Sequence, residues 1–188
     1  MERYLGEEKQ KRKYEHSKRI GEFTYKVALR IKQRNPELDI SPEFTGFLGH
    51  VHDVGFSVSP IGHEFHTFDV LTKNEYISDS ISNKAAMHGQ LAEQIGEKEG
   101  NFEKYLPIGI EGMVLTYADM TINDGEPRSV DTRAAEIIER VKKLNSEGIV
   151  DDDFRTGLIE NMHKALPRFH RYEQIVLALA EAKSFSDF

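Results

Sequence analysis

Ile20-Gly21-Glu22-Phe23-Thr24-Tyr25-Lys26-Val27-Ala28-Leu29-Arg30-Ile31 sets the character of the fold. Ile20, Phe23, Val27 and Ile31, with Ala28 beside them, recur every three or four residues and so line one side of a helix. The stripe predicts one long helix over residues 9–34, ended before Pro36. Beyond it, Ser41 offers an N-cap oxygen, Pro42 suits the first helical position and Glu43 complements the dipole. A second helix is expected through Leu48 to about Asp53, with Gly55 as its stop. A loop with Pro60 and Gly62 leads to a third helix over residues 63–73, and Ser78 caps a fourth that runs to His88. Gly89, Gly96 and Gly100 read as a mobile connection.

A helix from about Pro107 carries Ile110, Val114, Leu115 and Ala118 towards Asp119, and residues 121–128 form a turn around Asn123, Asp124 and Gly125. Ser129 or Asp131 caps the next helix, whose apolar face is Ala134, Ile137, Ile138, Val141 and Leu144. Two more helices are expected, one led by Asp151, Asp152 and Asp153, the other starting at Pro167. Strand alternation and internal repeats are absent. The expected fold is all-α, a single bundle of seven or eight helices over residues 1–188, with residues 151–183 packed on a core of residues 9–145.

The 188 residues suffice for one substantial core. Asp and Glu number 32 against 25 Lys and Arg, and the resulting charge of -7 argues against a general polyanion binder such as a nucleic-acid-coating protein. The chain has no Cys, which excludes disulfides, thiolate nucleophiles and Cys-ligated zinc. Any metal must be held by His, Asp or Glu. The charged N-terminus lacks a signal-peptide core, and no apolar run approaches the roughly 18 residues of a membrane span, so a cytoplasmic protein is expected.

Eight His make the one skewed count, and their placement carries the chemistry. Leu48-Gly49-His50-Val51-His52-Asp53-Val54-Gly55 sets an adjacent His and Asp at a helix end, where both can turn towards one cation. His16 lies early in the first helix. Asp119 ends an otherwise apolar helix, where an ionised carboxylate is costly unless paired or metal-bound. His16, His52, Asp53 and Asp119 together form a mixed imidazole and carboxylate set suited to Mn, Fe, Co, Ni or Zn.

This order resembles the HD-domain superfamily of metal-dependent phosphohydrolases: a first-helix His followed by Ser17, a His-Asp pair in an apolar turn ending in Gly, and a closing Ala118-Asp119 element. The resemblance implies metal ligation by His16, His52, Asp53 and Asp119. In dinuclear members two further His are inserted, and His63 and His88 match them; Asp53 would then bridge two ions, so one or two divalent ions are implied. The implied function is hydrolysis of a phosphate ester or anhydride of a nucleotide or related small molecule, with Asp53 orienting the attacking water or taking its proton. Many relatives follow the turn with Lys, where this chain has Phe56. Lys84 and Arg133 are the expected replacement cations, with Lys18 and Arg19 as other options. A non-catalytic metal- and phosphate-binding sensor is the competing expectation, and a homo-oligomer stays open.

Other His are weighed separately. His50 points away from His52 around the helix and is expected to pack, whereas His66 shares a face with His63 and could replace it as ligand. His163 and His170 fall outside the pattern and are expected in surface or packing roles. The basic run Lys9, Lys11, Arg12, Lys13, Lys18 and Arg19 reads as a solvated helix face.

Overall fold

In a computed structural model the chain is described over residues 7–59, 62–123 and 126–188. Residues 1–6, Pro60 of the expected loop, and Asp124 and Gly125 of the expected turn lie outside the described residues. Eight α-helices are found among the described residues: α1 (Glu7–Arg34), α2 (Pro42–Val51), α3 (His63–Thr72), α4 (Asp79–Ala86), α5 (Glu97–Glu99), α6 (Gly109–Asp119), α7 (Val130–Ser146) and α8 (Asp152–Leu179). The all-α architecture follows the apolar periodicity, and the caps follow the sequence too. Ser41, Ser78, Ser129 and Asp151 each accept a hydrogen bond from a backbone N–H of the first turn they precede. No helix among the described residues is long and apolar enough to cross a membrane.

The principal core joins Ile20, Val27 and Ile31 of α1 to Leu48 of α2, Val114 and Leu115 of α6 and Val176 of α8. The α1–α2 contact is unusually close because both helices present glycine. A Cβ on Gly49 would fall 2.8 Å from Gly21 Cα and 2.6 Å from Thr24 Oγ1. Thr24 seals the crossing by donating to the Thr45 carbonyl at 3.1 Å. This contact sets His16 of α1 beside the end of α2. A second cluster packs Met120, Val130 and Ala134 against Met162, Ala165 and Phe169 of α8.

Four expectations need correction. The two C-terminal helices are one 28-residue helix with Pro167 inside it. Pro removes one helical N–H and crowds the preceding turn, a cost of about 3 kcal/mol. The buried stripe of Met162, Ala165, Phe169, Tyr172 and Val176 continues across it at a spacing of three and four residues, and that burial offsets the cost. Pro167 itself is exposed. Pro167→Ala should therefore raise stability by about 1 to 3 kcal/mol, seen as a higher denaturation midpoint; an unchanged or lower midpoint would show that the proline is matched to its site.

The turn at residues 121–128 includes a two-residue antiparallel pair, Ile122–Asn123 with Glu126–Pro127, too short for alternation to reveal. The connection after Gly89 is ordered, with a wide π-type turn at Ala92–Gly96 and a 3-10 turn at Phe102–Tyr105 around buried Met87, Leu91, Ala92 and Tyr105. Arg168 of α8 clamps it, bonding both carboxylate oxygens of buried Glu93 at 2.9 and 2.7 Å and the Gly89 carbonyl at 2.8 Å.

Lastly, Gly55 does not stop α2, which ends at Val51. It lies in a 3-10 turn (Val54–Ser57) pressed on α3, where a Cβ would come 2.0 Å from the His63 carbonyl oxygen and 2.4 Å from Thr67 N. Glycine is required there by close approach. Buried Thr67 fixes the contact: its hydroxyl accepts from Gly55 N–H at 3.0 Å and donates to the His52 carbonyl at 2.8 Å.

Candidate metal centre

Five segments deliver six side chains to one buried place. His16 comes from α1, His52 caps the end of α2 with Asp53 next, His63 opens α3, His88 follows α4, and Asp119 ends α6. Two of the imidazoles are fixed by backbone carbonyls, which can only accept. His52 Nδ1 donates to Gly49 O at 2.8 Å, and His88 Nδ1 donates to Ala85 O at 2.9 Å. Each neutral ring must then offer Nε2 as a lone pair. Both Nε2 atoms are fully buried and have no hydrogen-bond partner among the described residues. A buried polar atom left in that state is costly, and a metal ion is one group that such lone pairs could hold.

Asp53 divides its two oxygens between two sets of imidazoles. Oδ2 faces His52 Nε2 at 3.5 Å and His16 Nε2 at 3.7 Å, while Oδ1 faces His63 Nε2 at 3.1 Å and His88 Nε2 at 3.8 Å. Asp119 Oδ1 closes the first set at 3.2 Å from His16 Nε2 and 3.7 Å from His52 Nε2. Donors about 2.0 to 2.2 Å from a shared ion lie roughly 3 to 3.6 Å apart, close to these separations. The donor atoms of His16, His52 and Asp119, and those of His52, Asp53 and His88, form groups lying within 4.8 Å of one another. These buried His and Asp could hold a metal ion.

The electrostatics are those of a charge-dense pocket. Burial opposes ionisation of Asp53, but the charges of His52, Lys13 and His63 outweigh it and hold the carboxyl well below its usual range. Asp119 is likewise held low against burial by His16 and His52. Burial also works against charge on His52, yet Asp53 and Asp119 leave its pKa raised. His88 goes the other way: burial, with the charges of His52 and His63, lowers it.

Around this centre the expected accessory residues separate. Arg133 of α7 is buried and its Nε approaches the Asp119 carbonyl at 3.4 Å. Lys84 is not brought to the cluster. Its ammonium sits 3.3 Å from Glu111 Oε2, in the first turn of α6, whereas Asp119 ends that helix about 12 Å further along at 1.5 Å per residue. Glu111 is buried and takes Lys84 as its counter-ion. Contacts to Asp53 belong to His63, and none is found for His66 among the described residues.

His50 packs over Gly21, where an added Cβ would lie 2.5 Å from its ring. His163 is exposed, and His170 pairs with Asp131 at 3.0 Å on the surface. Lys11, Arg12, Lys18 and Arg19 are exposed, as a solvated face requires; the Lys9 side chain lies outside the described residues.

Three residues near the centre escaped the sequence reading. Lys13 donates to Asp53 Oδ2 at 3.0 Å, and its only signal was its position three residues before His16 on the same helical face. Glu64 Oε2 is 3.3 Å from His63 Nδ1, which leaves His63 Nε2 directed at Asp53. Arg140 lies two turns after Arg133 on α7; it is exposed, and the charge of Arg133 lowers its guanidinium pKa while Asp119, Asp53 and Glu64 pull the other way.

Comparison of the chain with protein-family models, with curated proteins and with solved structures finds no match.

Proposed function

We propose that this protein is a metal-dependent phosphohydrolase of the HD-domain type, acting on a phosphate ester or anhydride of a small molecule such as a nucleotide. The observation that carries the reading is Asp53, one carboxylate with each oxygen turned to a different set of imidazoles. One carboxylate placed in that way suits a bridge between two ions, with His16, His52 and Asp119 on one side and His63 and His88 on the other. The ordered motif from His16 to Asp119 supports the same reading.

When bound, divalent ions supply Lewis acidity that lowers the pKa of water and screens phosphoryl charge. The chain's own residues do the rest. The carbonyls of Gly49 and Ala85 keep His52 and His88 in the tautomer that presents Nε2 to the centre. Asp53, lying between the two sets of imidazoles, would fix where the attacking water sits and set its line of approach. Arg133, whose Nε lies against the Asp119 carbonyl and whose Nη1 lies 3.7 Å from Glu136, would place a guanidinium beside that end of the centre.

The test is phosphate release from a panel of phosphate monoesters, diesters and nucleotides by protein reconstituted with Mn, Co, Ni, Fe or Zn. Turnover should vanish with a chelator and return with metal. It should also fall as pH drops, beginning at His52, where Asp53 and Asp119 raise the pKa and protons compete first, because a ligating His must be neutral. Turnover that survives complete metal removal would sink the proposal. Phe56, packed on His63 where many relatives carry Lys, favours one second reading, a sensor that binds metal and phosphate without hydrolysis. Saturable metal-dependent binding with no turnover across the panel would select it.

A further inference from the structure

Lys13 differs from the described cations around it in the basic run. Its neighbours Lys11 and Arg12 are exposed, whereas its own side chain is 30% exposed and turned towards the centre. The ammonium lies 3.0 Å from Asp53 Oδ2 and 3.5 Å from the centroid of the Phe56 ring. That ring in turn packs on the His63 ring at 4.0 Å between centroids. The aromatic face attracts the cation without occupying it as a hydrogen-bond acceptor would, so the N–H groups stay available. An ammonium is thus held on an aromatic shelf at the partly open edge of a buried ligand cluster.

A plain counter-ion to Asp53 would not need the shelf. Asp53 already faces four imidazoles, and once its oxygens are committed to cations it becomes a poor acceptor for Lys13. The ammonium then needs a new anion, and its partial exposure means that the anion can come from solvent. Near the centre, Lys13 and Arg133 stand with Asp53, Asp119 and Glu64, and Glu136 lies 3.7 Å from Arg133, so two positive charges meet four negative ones. Two divalent ions would turn that deficit into an excess of two positive charges, which selects a dianion over a monoanion.

We propose that Lys13, cradled on Phe56, is the ammonium that binds the substrate's phosphate, and that the group it selects is a terminal phosphate dianion. This rests on the reading of the centre as a metal-dependent phosphohydrolase. In that arrangement Phe56 does not leave the site short of a cation; it supports one supplied by α1.

The experiment uses the full chain loaded with Mn and titrated with inorganic phosphate or dimethyl phosphate by calorimetry, with metal content measured in parallel. Wild type should bind phosphate at least tenfold more tightly than dimethyl phosphate. Lys13→Met keeps the apolar stem and removes the charge; it should keep its Mn and helical circular dichroism while phosphate affinity falls at least tenfold. Lys13→Arg should retain most of the affinity, and Lys13→Met combined with Phe56→Lys should recover part of it by returning an ammonium to the same edge. Unchanged phosphate affinity in Mn-loaded Lys13→Met overturns the assignment and leaves the metal-centre reading standing. Equal affinity for the two anions overturns the dianion selection. Wild-type protein that takes up no metal overturns both the inference and the reading beneath it.

Discussion

If the centre is the proposed metal-dependent phosphohydrolase, Asp53→Ala should lose metal from both halves of it and lower turnover by about a thousandfold or more, a transition-state loss of about 4 kcal/mol. The size follows from geometry. Asp53 Oδ2 serves the side of His16 and His52, and Oδ1 serves the side of His63 and His88, so a single truncation removes a donor from each. His88→Ala touches only the second set and should leave metal bound at His16, His52 and Asp119. The helices should survive both changes, because Asp53 lies outside the apolar core and its partner Lys13 can reach water. Elemental analysis, circular dichroism and a phosphate-release assay on the purified variants check this. Full metal content and turnover in Asp53→Ala would remove Asp53 from the centre.

The second large effect should come from a residue with no chemistry. Gly49→Val should unfold the protein or leave it marginal, and Gly49→Ala should cost about 3 kcal/mol, at the upper end of overpacking penalties. Two of the atoms an added Cβ meets, Gly21 Cα at 2.8 Å and Gly21 N at 2.9 Å, are backbone and cannot swing aside. Relief requires α1 to move off α2, which carries His16 away from His52 and breaks the first ligand set. Folded Gly49→Ala should therefore also bind metal more weakly. Gly157→Ala is the matched control, since a Cβ on that α8 residue meets nothing within 4 Å. It should be neutral or stabilising by up to about 1 kcal/mol. Denaturant midpoints on both variants decide the matter: equal stability of Gly49→Ala and wild type would contradict the close-contact account.

Local information carried far in this chain. The spacing of Ile20, Phe23, Val27 and Ile31, and the capping oxygens of Ser41, Ser78, Ser129 and Asp151, are decided within a few residues along the backbone, and they gave the helices their type and most of their ends. The candidate ligands were legible for a related reason. Asp119 stood out as a carboxylate at the end of an apolar helix and His52-Asp53 as an adjacent pair, while the resemblance to the HD-domain pattern supplied the rest of the set; His16, His52, Asp53, His63, His88 and Asp119 are the side chains that converge.

What stayed hidden depended on neighbours distant in sequence. Pro167 looks like a helix start until the stripe from Met162 to Val176 is seen to be buried on both sides of it, and only that burial outweighs the lost hydrogen bond. Gly55 looks like a helix stop until α3 lies against it. On paper Lys84 is a candidate site cation and Lys13 only one member of a solvated basic face. Buried Glu111 claims the first, and the second reaches the centre because Phe56, 43 residues later in the chain, offers it a ring face beside Asp53. The sequence by itself determined the all-α class, the caps and the residue types available to bind a cation, because periodicity and donor chemistry are local. Only the tertiary structure decided which charges meet, since a cation's partner is set by Coulomb energy and desolvation at the place where helices far apart in the chain cross.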